Sequence, residues 1–502
     1  MDLSDLVSRS GKTFINKNYF LIFEKSYGYL IILHQQFIIK SNKKMKKILA
    51  AILLSTNLLF AQTVAQKLDA ATKKLLASSA AYSANLSLYV ADESGNLVYE
   101  YQGNKGLSTA STQKIFTAAC VIETLGKDYQ YTTSASYTGT ISGGVLDGNL
   151  VVYSTGDPSL GTWRFEAYKP ENFLQKLVAA IKNKGISKIS GNIIIDDSYF
   201  DFQNIPGGWP WNDMGNYYGA GVWGVNWREN QFDININGKD FKNFNIDLQK
   251  VHWVNELKTG GISDQSLIFT APHSDVALIN GMLPAGKTMT VSGATPNPPL
   301  QLAVEILQQC KDAGIDVSGK INTVSEMKIH GEKPSVFNKQ TAFFDYKSPT
   351  LDKLVYWFFR KSVNLYGETF IKTLAKEKRN EGNFKAGVDF LQDFWKSKGI
   401  NSAMINFADG SGLSPQNYVS ARAEVQALLY AKKQSWFSAY YDGFPVHENG
   451  MKMKSGTMKD TKSFAGFHTS KSGKNFVFSI IINNYQGSNI SDALLQVLKP
   501  LQ

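Results

Sequence analysis

Cysteine and histidine are scarce in this 502-residue chain, and the scarcity removes whole classes of chemistry. There are two cysteines, Cys120 and Cys310, each on an apolar helical stripe. Two are too few for a structural zinc site or a disulfide framework, and the pair reads as buried free thiols rather than a bridge. The six histidines (His34, His252, His273, His330, His447 and His468) are scattered, and none pairs at ligand spacing, which argues against a metal-dependent peptidase. A Gly-x-Ser-x-Gly nucleophile elbow is missing; Gly410-Ser411-Gly412 falls one residue short on each side, so a serine–histidine–aspartate hydrolase does not fit. No basic run interleaved with aromatics is present either, which argues against a nucleic-acid partner.

What is there is an ordinary globular composition, 43% hydrophobic and 19% charged, long enough for two or three cores. The net charge of +11 is concentrated at the N-terminus: residues 1–61 hold nine Lys/Arg against three Asp/Glu, +6, which leaves +5 for the rest. A mildly basic body suits an acidic wall polymer. Met45-Lys46-Lys47, the apolar residues 48–60 and Ala61-Gln62 have the basic, apolar and small-residue parts of a secretory signal, so residues 45–61 are read as a signal peptide addressing the chain to the periplasm or cell envelope. The apolar clusters at 19–23 and 27–33 are broken by Glu24, Lys25 and His34, too interrupted for a spanning helix. Residues 1–44 are therefore read as a non-native leader upstream of a true start at Met45, with an uncleaved anchor as the alternative; membrane association stays open.

Along the body, residues 86–101 alternate as a hairpin, and a helix follows that ends near Gly126. From 131 the pattern turns to strands, with a second hairpin expected at 145–150 around Asp147-Gly148. Two similar helix–strand units, at 173–195 and 300–324, look like halves of one inserted module. Between them residues 209–227 hold four tryptophans and two tyrosines, read as filling a seam in preference to forming a ligand platform. A helix at 351–359 carries a buried face and delivers Ser362-Val363-Asn364; a second helix begins near Glu368. Strands at both chain ends predict an α/β fold with one discontinuous catalytic domain, an antiparallel sheet flanked by helices, built from 62–130 and 340–502. Residues 131–339 are predicted to be an insert of β-rich accessory domains, long enough for one or for two with one nested in the other.

The chemistry centres on Ser111 and Lys114, one helical turn apart. A serine hydroxyl is a poor nucleophile unless a neighbouring base takes its proton, and a neutral lysine on the same face can do so. Unpaired N–H groups at a helix start can also face a forming oxyanion. Alone, a serine three residues before a lysine is weak evidence. With Ser362-Val363-Asn364 and Lys454-Ser455-Gly456-Thr457 following in that order, it becomes the signature of penicillin-recognising serine enzymes.

From about residue 66 to the C-terminus the chain resembles the class C low-molecular-mass penicillin-binding proteins, the D-alanyl-D-alanine carboxypeptidase/endopeptidase family. The resemblance rests on Ala110-Ser111-Thr112-Gln113-Lys114, Gly156-Asp157-Pro158-Ser159-Leu160, residues 361–368, Asp409-Gly410-Ser411-Gly412-Leu413-Ser414 and Lys454-Ser455-Gly456-Thr457. Ser159 and Ser455 replace commoner threonines, and Val363 replaces an aspartate. The resemblance implies a transpeptidase-like core with two extra domains, and no metal or organic cofactor. Its substrates would be peptidoglycan peptides, and β-lactams would inhibit it covalently. It implies Ser111 as nucleophile, Lys114 as general base with its pKa lowered by burial and by Lys454, and Ser362 as proton relay. Asn364 would hold Lys114 and the substrate amide. Lys454 and Thr457, in the segment with Ser455 and Gly456, would receive the terminal carboxylate, with the N–H groups of Ser111 and Thr457 as the oxyanion hole. Asp157 would meet the free amine of the peptide's diamino acid. The alternatives are a serine β-lactamase and a binding module without turnover. One β-lactamase class has a tyrosine where Ser362 stands. Another needs a downstream glutamate, and Glu368 lies only four residues past Asn364. Intact motifs argue against a binding module.

Overall fold

A computed structural model describes residues 62–248 and 251–502, with the backbone of two short strands near the N-terminus. Two compact units result, Met1–Gln66 and Lys67–Gln502. In the first, Phe20–Phe23 pairs antiparallel with Leu30–Leu33. The expected signal peptide and most of the expected leader lie outside the described residues. No helix among the described residues is long and apolar enough to cross a membrane.

In the second unit a five-stranded antiparallel sheet joins the two ends of the sequence, in the order Lys452–Met458, Thr461–Thr469, Asn475–Asn483, Asn85–Asp92 and Leu97–Tyr101. Residues some 400 apart in sequence pair here, Leu86 opposite Ile482 and Leu88 opposite Ile480. Alternation predicts the strand residues correctly because each face of a pleated strand meets a different surface. On one face the helix Lys114–Leu125 is buried from Lys114 to Ile122 without a break. An all-round apolar helix is one enclosed on every side. It packs against Leu351–Arg360, Asn364–Arg379, Phe384–Ser397 and Ala421–Lys432, whose Phe358, Phe370, Trp395 and Leu428 share its core. Burying each such side chain is worth about 1.5–3 kcal/mol.

The segment between has its own layers. A second five-stranded sheet runs Ile321–Thr323, Ile193–Asp196, Leu150–Ser154, Thr132–Tyr137 and Phe344–Lys347. The two helix–strand units lie side by side in it: Ile193 pairs parallel with Ile321, and Lys188 with Asp316 in an adjoining four-stranded sheet. The helices Pro170–Asn183 and Pro298–Asp312 bury Leu177, Ile181, Leu302 and Ile306 in one core beneath them. Between the units in sequence, two three-stranded sheets enclose a smaller core around Phe232, Ile234 and Ile279. Both cysteines are buried and free, Cys120 in the first core and Cys310 in the second.

Three local expectations are corrected. Val145–Asp147 and Leu150–Ser154 do not close a hairpin; they belong to different sheets, and Gly148 sits where a Cβ would meet Thr138 O at 1.9 Å. Phe344–Lys347 pairs with Thr132–Tyr137, although residue 340 was read as the start of the returning catalytic segment. The second helix begins at Asn364, four residues earlier than its periodicity indicated. Lys454 to Thr457 lie inside the strand Lys452–Met458.

Arg228, Glu229 and Asn230 all have left-handed backbones, with φ of 55°, 51° and 54°. For residues with a Cβ this costs roughly 1–2 kcal/mol each, and side-chain bonds offset it. Arg228 makes a bidentate pair with Glu305. Asn230 Nδ2 donates to Gly221 O at 2.7 Å. Glu229, fully buried, accepts from Arg164 Nε at 2.7 Å, Thr162 Oγ1 at 2.7 Å and Tyr366 Oη at 2.8 Å. Tyr366 stands on the Asn364–Arg379 helix, so this buried carboxylate ties the middle segment to that helix two residues beyond Asn364. Replacing Glu229 by Ala leaves the Arg164 guanidinium without its partner. The expected loss is about 3–5 kcal/mol in urea unfolding; a loss under about 1 kcal/mol would contradict this account.

Candidate active site

Ser111 lies in a 3₁₀ turn, Ala110–Gln113, that enters the helix beginning at Lys114. Ala110 has φ 48°, and two glycines make room for the turn. A Cβ on Gly456 would lie 2.2 Å from Thr109 O and 3.0 Å from Ser111 N; one on Gly412 would lie 2.0 Å from Ala110 O. The edge strand therefore runs in contact with the backbone on which Ser111 is mounted. Ser463, opposite Gly456, completes the clamp: its Oγ donates to Thr109 O at 2.5 Å and is 3.0 Å from Thr112 Oγ1.

Lys114 is fully buried. Its Nζ donates to Ser111 Oγ at 3.0 Å, Asn364 Oδ1 at 2.6 Å and Ser411 O at 2.7 Å. Phe358 presents its ring 5.4 Å from the same nitrogen. Burial pushes the ammonium down to about 7, while the carboxylates of Asp409 and Glu368 pull in the opposite direction. Burial, not a neighbouring cation, is the dominant cause. Near neutral pH a large share of the amine is a free base in contact with the Ser111 hydroxyl.

Three segments hold this lysine. Asn364 begins its helix, accepts from Lys114, and donates through Nδ2 to Tyr218 O at 2.8 Å. The Asp409 carboxylate, fully buried, accepts from Gln113 Nε2, Gly412 N and Asn417 Nδ2 on one oxygen and from Trp209 Nε1 and Ser414 N on the other. That set of donors fixes the turn whose Ser411 carbonyl receives Lys114. Glu368, one helical turn past Asn364, accepts from Gly410 N at 2.9 Å and is also fully buried. Burial, reinforced by the charge of Asp409, pushes its carboxyl up to about 8. A Cβ on Gly410 would lie 2.3 Å from Gly367 O, so turn and helix touch through backbone.

Lys454 is 2% exposed, and its Nζ donates to Ser455 O at 2.6 Å. Burial, then the charges of Lys114 and Lys462, hold it well below the usual lysine value. Thr457 is exposed on the same strand, and its hydroxyl accepts from Lys462 Nζ at 2.7 Å. Ser362 sits in the turn before Asn364 with φ 56°; no hydrogen bond joins its side chain to Ser111, Lys114 or Lys454. The structure thus joins Ser111, Lys114 and Asn364 directly, and Gly456 packs on the turn that carries Ser111.

Asp157 follows the strand Leu150–Ser154. It is 1% exposed, and its Oδ1 accepts from the N–H and hydroxyl of Ser159 in its own turn, at 2.8 and 2.6 Å. The acid in the segment that touches Asn364 is Asp213, half-buried in the short helix Trp211–Met214, with Tyr218 Oη donating to it at 3.3 Å. Burial raises its pKa. Tyr218, Trp209, Asp409 and Glu368 are the participants whose contacts residue-by-residue reading missed. The aromatic crowding at 209–227 was the available signal, since Trp209 and the Tyr218 carbonyl both reach the site. Among the described residues no cluster of three or more His, Cys, Asp or Glu is arranged to hold a metal.

The chain is similar to several known proteins. The D-alanyl-D-alanine carboxypeptidase DacB of Haemophilus influenzae is 25% identical over 421 residues, 78% of this chain and 84% of that protein. The D-alanyl-D-alanine carboxypeptidase of Actinomadura sp. is 23% identical over 429 residues, 78% of this chain and 76% of that protein. The crystal structure of penicillin binding protein 4 (dacB) from Haemophilus influenzae superposes with a TM-score of 0.70 at 24% identity, covering 86% of this chain and 98% of that one. The profile of the D-Ala-D-Ala carboxypeptidase 3 (S13) family matches residues 64–501, and the chain belongs to that family.

Proposed function

We propose that the protein is a serine DD-peptidase of the cell wall, acting on D-Ala-D-Ala ends or D-Ala cross-links of peptidoglycan peptides through an acyl-enzyme on Ser111. The observation that carries the assignment is the 3.0 Å contact between Ser111 Oγ and a buried Lys114 whose pKa is depressed to about 7. Lys114 takes the hydroxyl proton as Oγ attacks the penultimate D-alanine carbonyl. The N–H groups of Ser111 and Thr457 receive the oxyanion, where one donor is worth ~2.7–4 kcal/mol in comparable sites. Asn364 keeps Lys114 aimed, and the Ser362 hydroxyl passes the proton to the departing D-alanine nitrogen. Water then hydrolyses the ester. The Haemophilus relative has been crystallised with a β-lactam, which supports covalent inhibition as the expected response of this chain as well.

The same reading divides the chain into a catalytic domain from both sequence ends and accessory domains between them, the second crossing falling after Lys347. Residues 45–61 would address it to the envelope, where its substrate lies. Asp157 is the residue proposed to meet the side-chain amine of the peptide, and Asp213 is a second candidate.

Intact mass after incubation with benzylpenicillin tests the nucleophile. The wild type is expected to gain one penicilloyl mass and Ser111→Ala none; an equally labelled variant would refute the assignment. Lys114 must be neutral to act, so the acylation rate is expected to rise with pH through about 7 and to fall roughly tenfold per pH unit below it. Asp213→Asn is expected to lower turnover of peptides with a free side-chain amine roughly tenfold relative to their acetylated counterparts. An unchanged ratio would remove Asp213 from substrate recognition.

A further inference from the structure

We propose that Lys462 supplies the positive charge that pairs with the substrate's terminal carboxylate, seated beside Thr457 on the neighbouring strand. The inference rests on the DD-peptidase reading and sharpens it, because the lysine of the Lys454-Ser455-Gly456-Thr457 segment is the less suitable of the two cations. Lys454 is 2% exposed, and its Nζ is directed to the Ser455 carbonyl. It also feels the charge of Lys114, and burial holds it well below the usual lysine value. An amine in that position serves the reacting end of the site better than a solvated anion.

Lys462 has the opposite properties. It stands directly across the strand pair from Thr457, and its Nζ donates to the Thr457 hydroxyl at 2.7 Å. That hydroxyl is exposed, and its backbone N–H belongs to the proposed oxyanion hole. The stem of Lys462 is steadied by Phe464, two residues on and on the same face, whose ring centroid lies 5.1 Å from Nζ. His447 packs edge-on against that ring, so the charged or titratable groups around Lys462 are Lys454 and His447, neither of them acidic. No carboxylate among the described residues is within ion-pair reach of Lys462. A half-buried lysine with no counter-ion, held onto a hydroxyl at the rim of the site, has an unfilled partner position. A carboxylate arriving at Thr457 fills it, accepting from the Thr457 hydroxyl and from Lys462 Nζ together. No bond is made or broken by Lys462; it is a specificity residue that selects peptides ending in a free carboxylate.

The test compares diacetyl-L-Lys-D-Ala-D-Ala with its C-terminal carboxamide, in wild type, Lys462→Met and Lys462→Arg. A hydrogen bond to a charged group corresponds to a change of roughly ten- to a hundredfold. The ratio of kcat/KM for carboxylate over carboxamide is expected to fall by that factor in K462M, chiefly through KM, and to recover within about threefold in K462R. A general loss of folding would lower both substrates together and leave the ratio unmoved. An unchanged ratio in a K462M enzyme that still releases D-alanine overturns the role of Lys462 and leaves the peptidase assignment standing. A wild type that neither releases D-alanine nor is acylated by benzylpenicillin overturns both.

Discussion

A lysine kept out of water is the constraint on which the rest of this structure depends. Hydration favours an ammonium over an amine, so Lys114 can act as a base near neutral pH only if the protein removes that hydration and does not fully replace it. Its three hydrogen bonds go to a serine hydroxyl, an amide oxygen and a backbone carbonyl, none of them a carboxylate. The nearest acids act through space: Asp409 is occupied by five donors, and Glu368 is itself pushed toward its neutral form. An ion pair to Lys114 would have restored the charge that the chemistry needs it to lack.

Much of the architecture follows from enclosing that one side chain. The antiparallel sheet brings both ends of the sequence together, so the edge strand with Gly456 touches the Ser111 turn while the helix behind it stays buried on all sides. The middle segment is more than an appendage. Trp209 completes the shell of Asp409, the Tyr218 carbonyl holds Asn364, and Glu229 grips Tyr366 on the same helix. Ser111, Lys114 and Asn364 are supported from separate stretches of chain, and the seam between the layers is part of the candidate site.

How much of this was legible in the sequence depended on whether the determinant was local. Ser111 and Lys114 share a helical face by spacing alone, and the buried faces of Leu351–Arg360 and Asn85–Asp92 followed from periodicities of 3.6 and 2. The strand Val145–Asp147 defeated that logic because partner choice, not turn chemistry, decides which sheet a short strand joins. Phe344–Lys347 was misallocated for the same reason. In the aromatic loop, Trp209 reaches Asp409 and the Tyr218 carbonyl reaches Asn364, contacts between residues far apart in sequence that leave no local pattern. The positive φ of Ser362 and the close approach of Gly456 to Thr109 are three-dimensional facts with only a weak local trace.

The most direct test is the titration of Lys114 itself, followed by NMR of protein carrying ¹³C-labelled lysine and assigned by comparison with Lys114→Arg. The account predicts one lysine resonance that changes protonation state near pH 7 and is missing from the variant. A Lys114 that stays protonated up to the ordinary lysine range would contradict the central claim, because a charged amine cannot take the proton of Ser111.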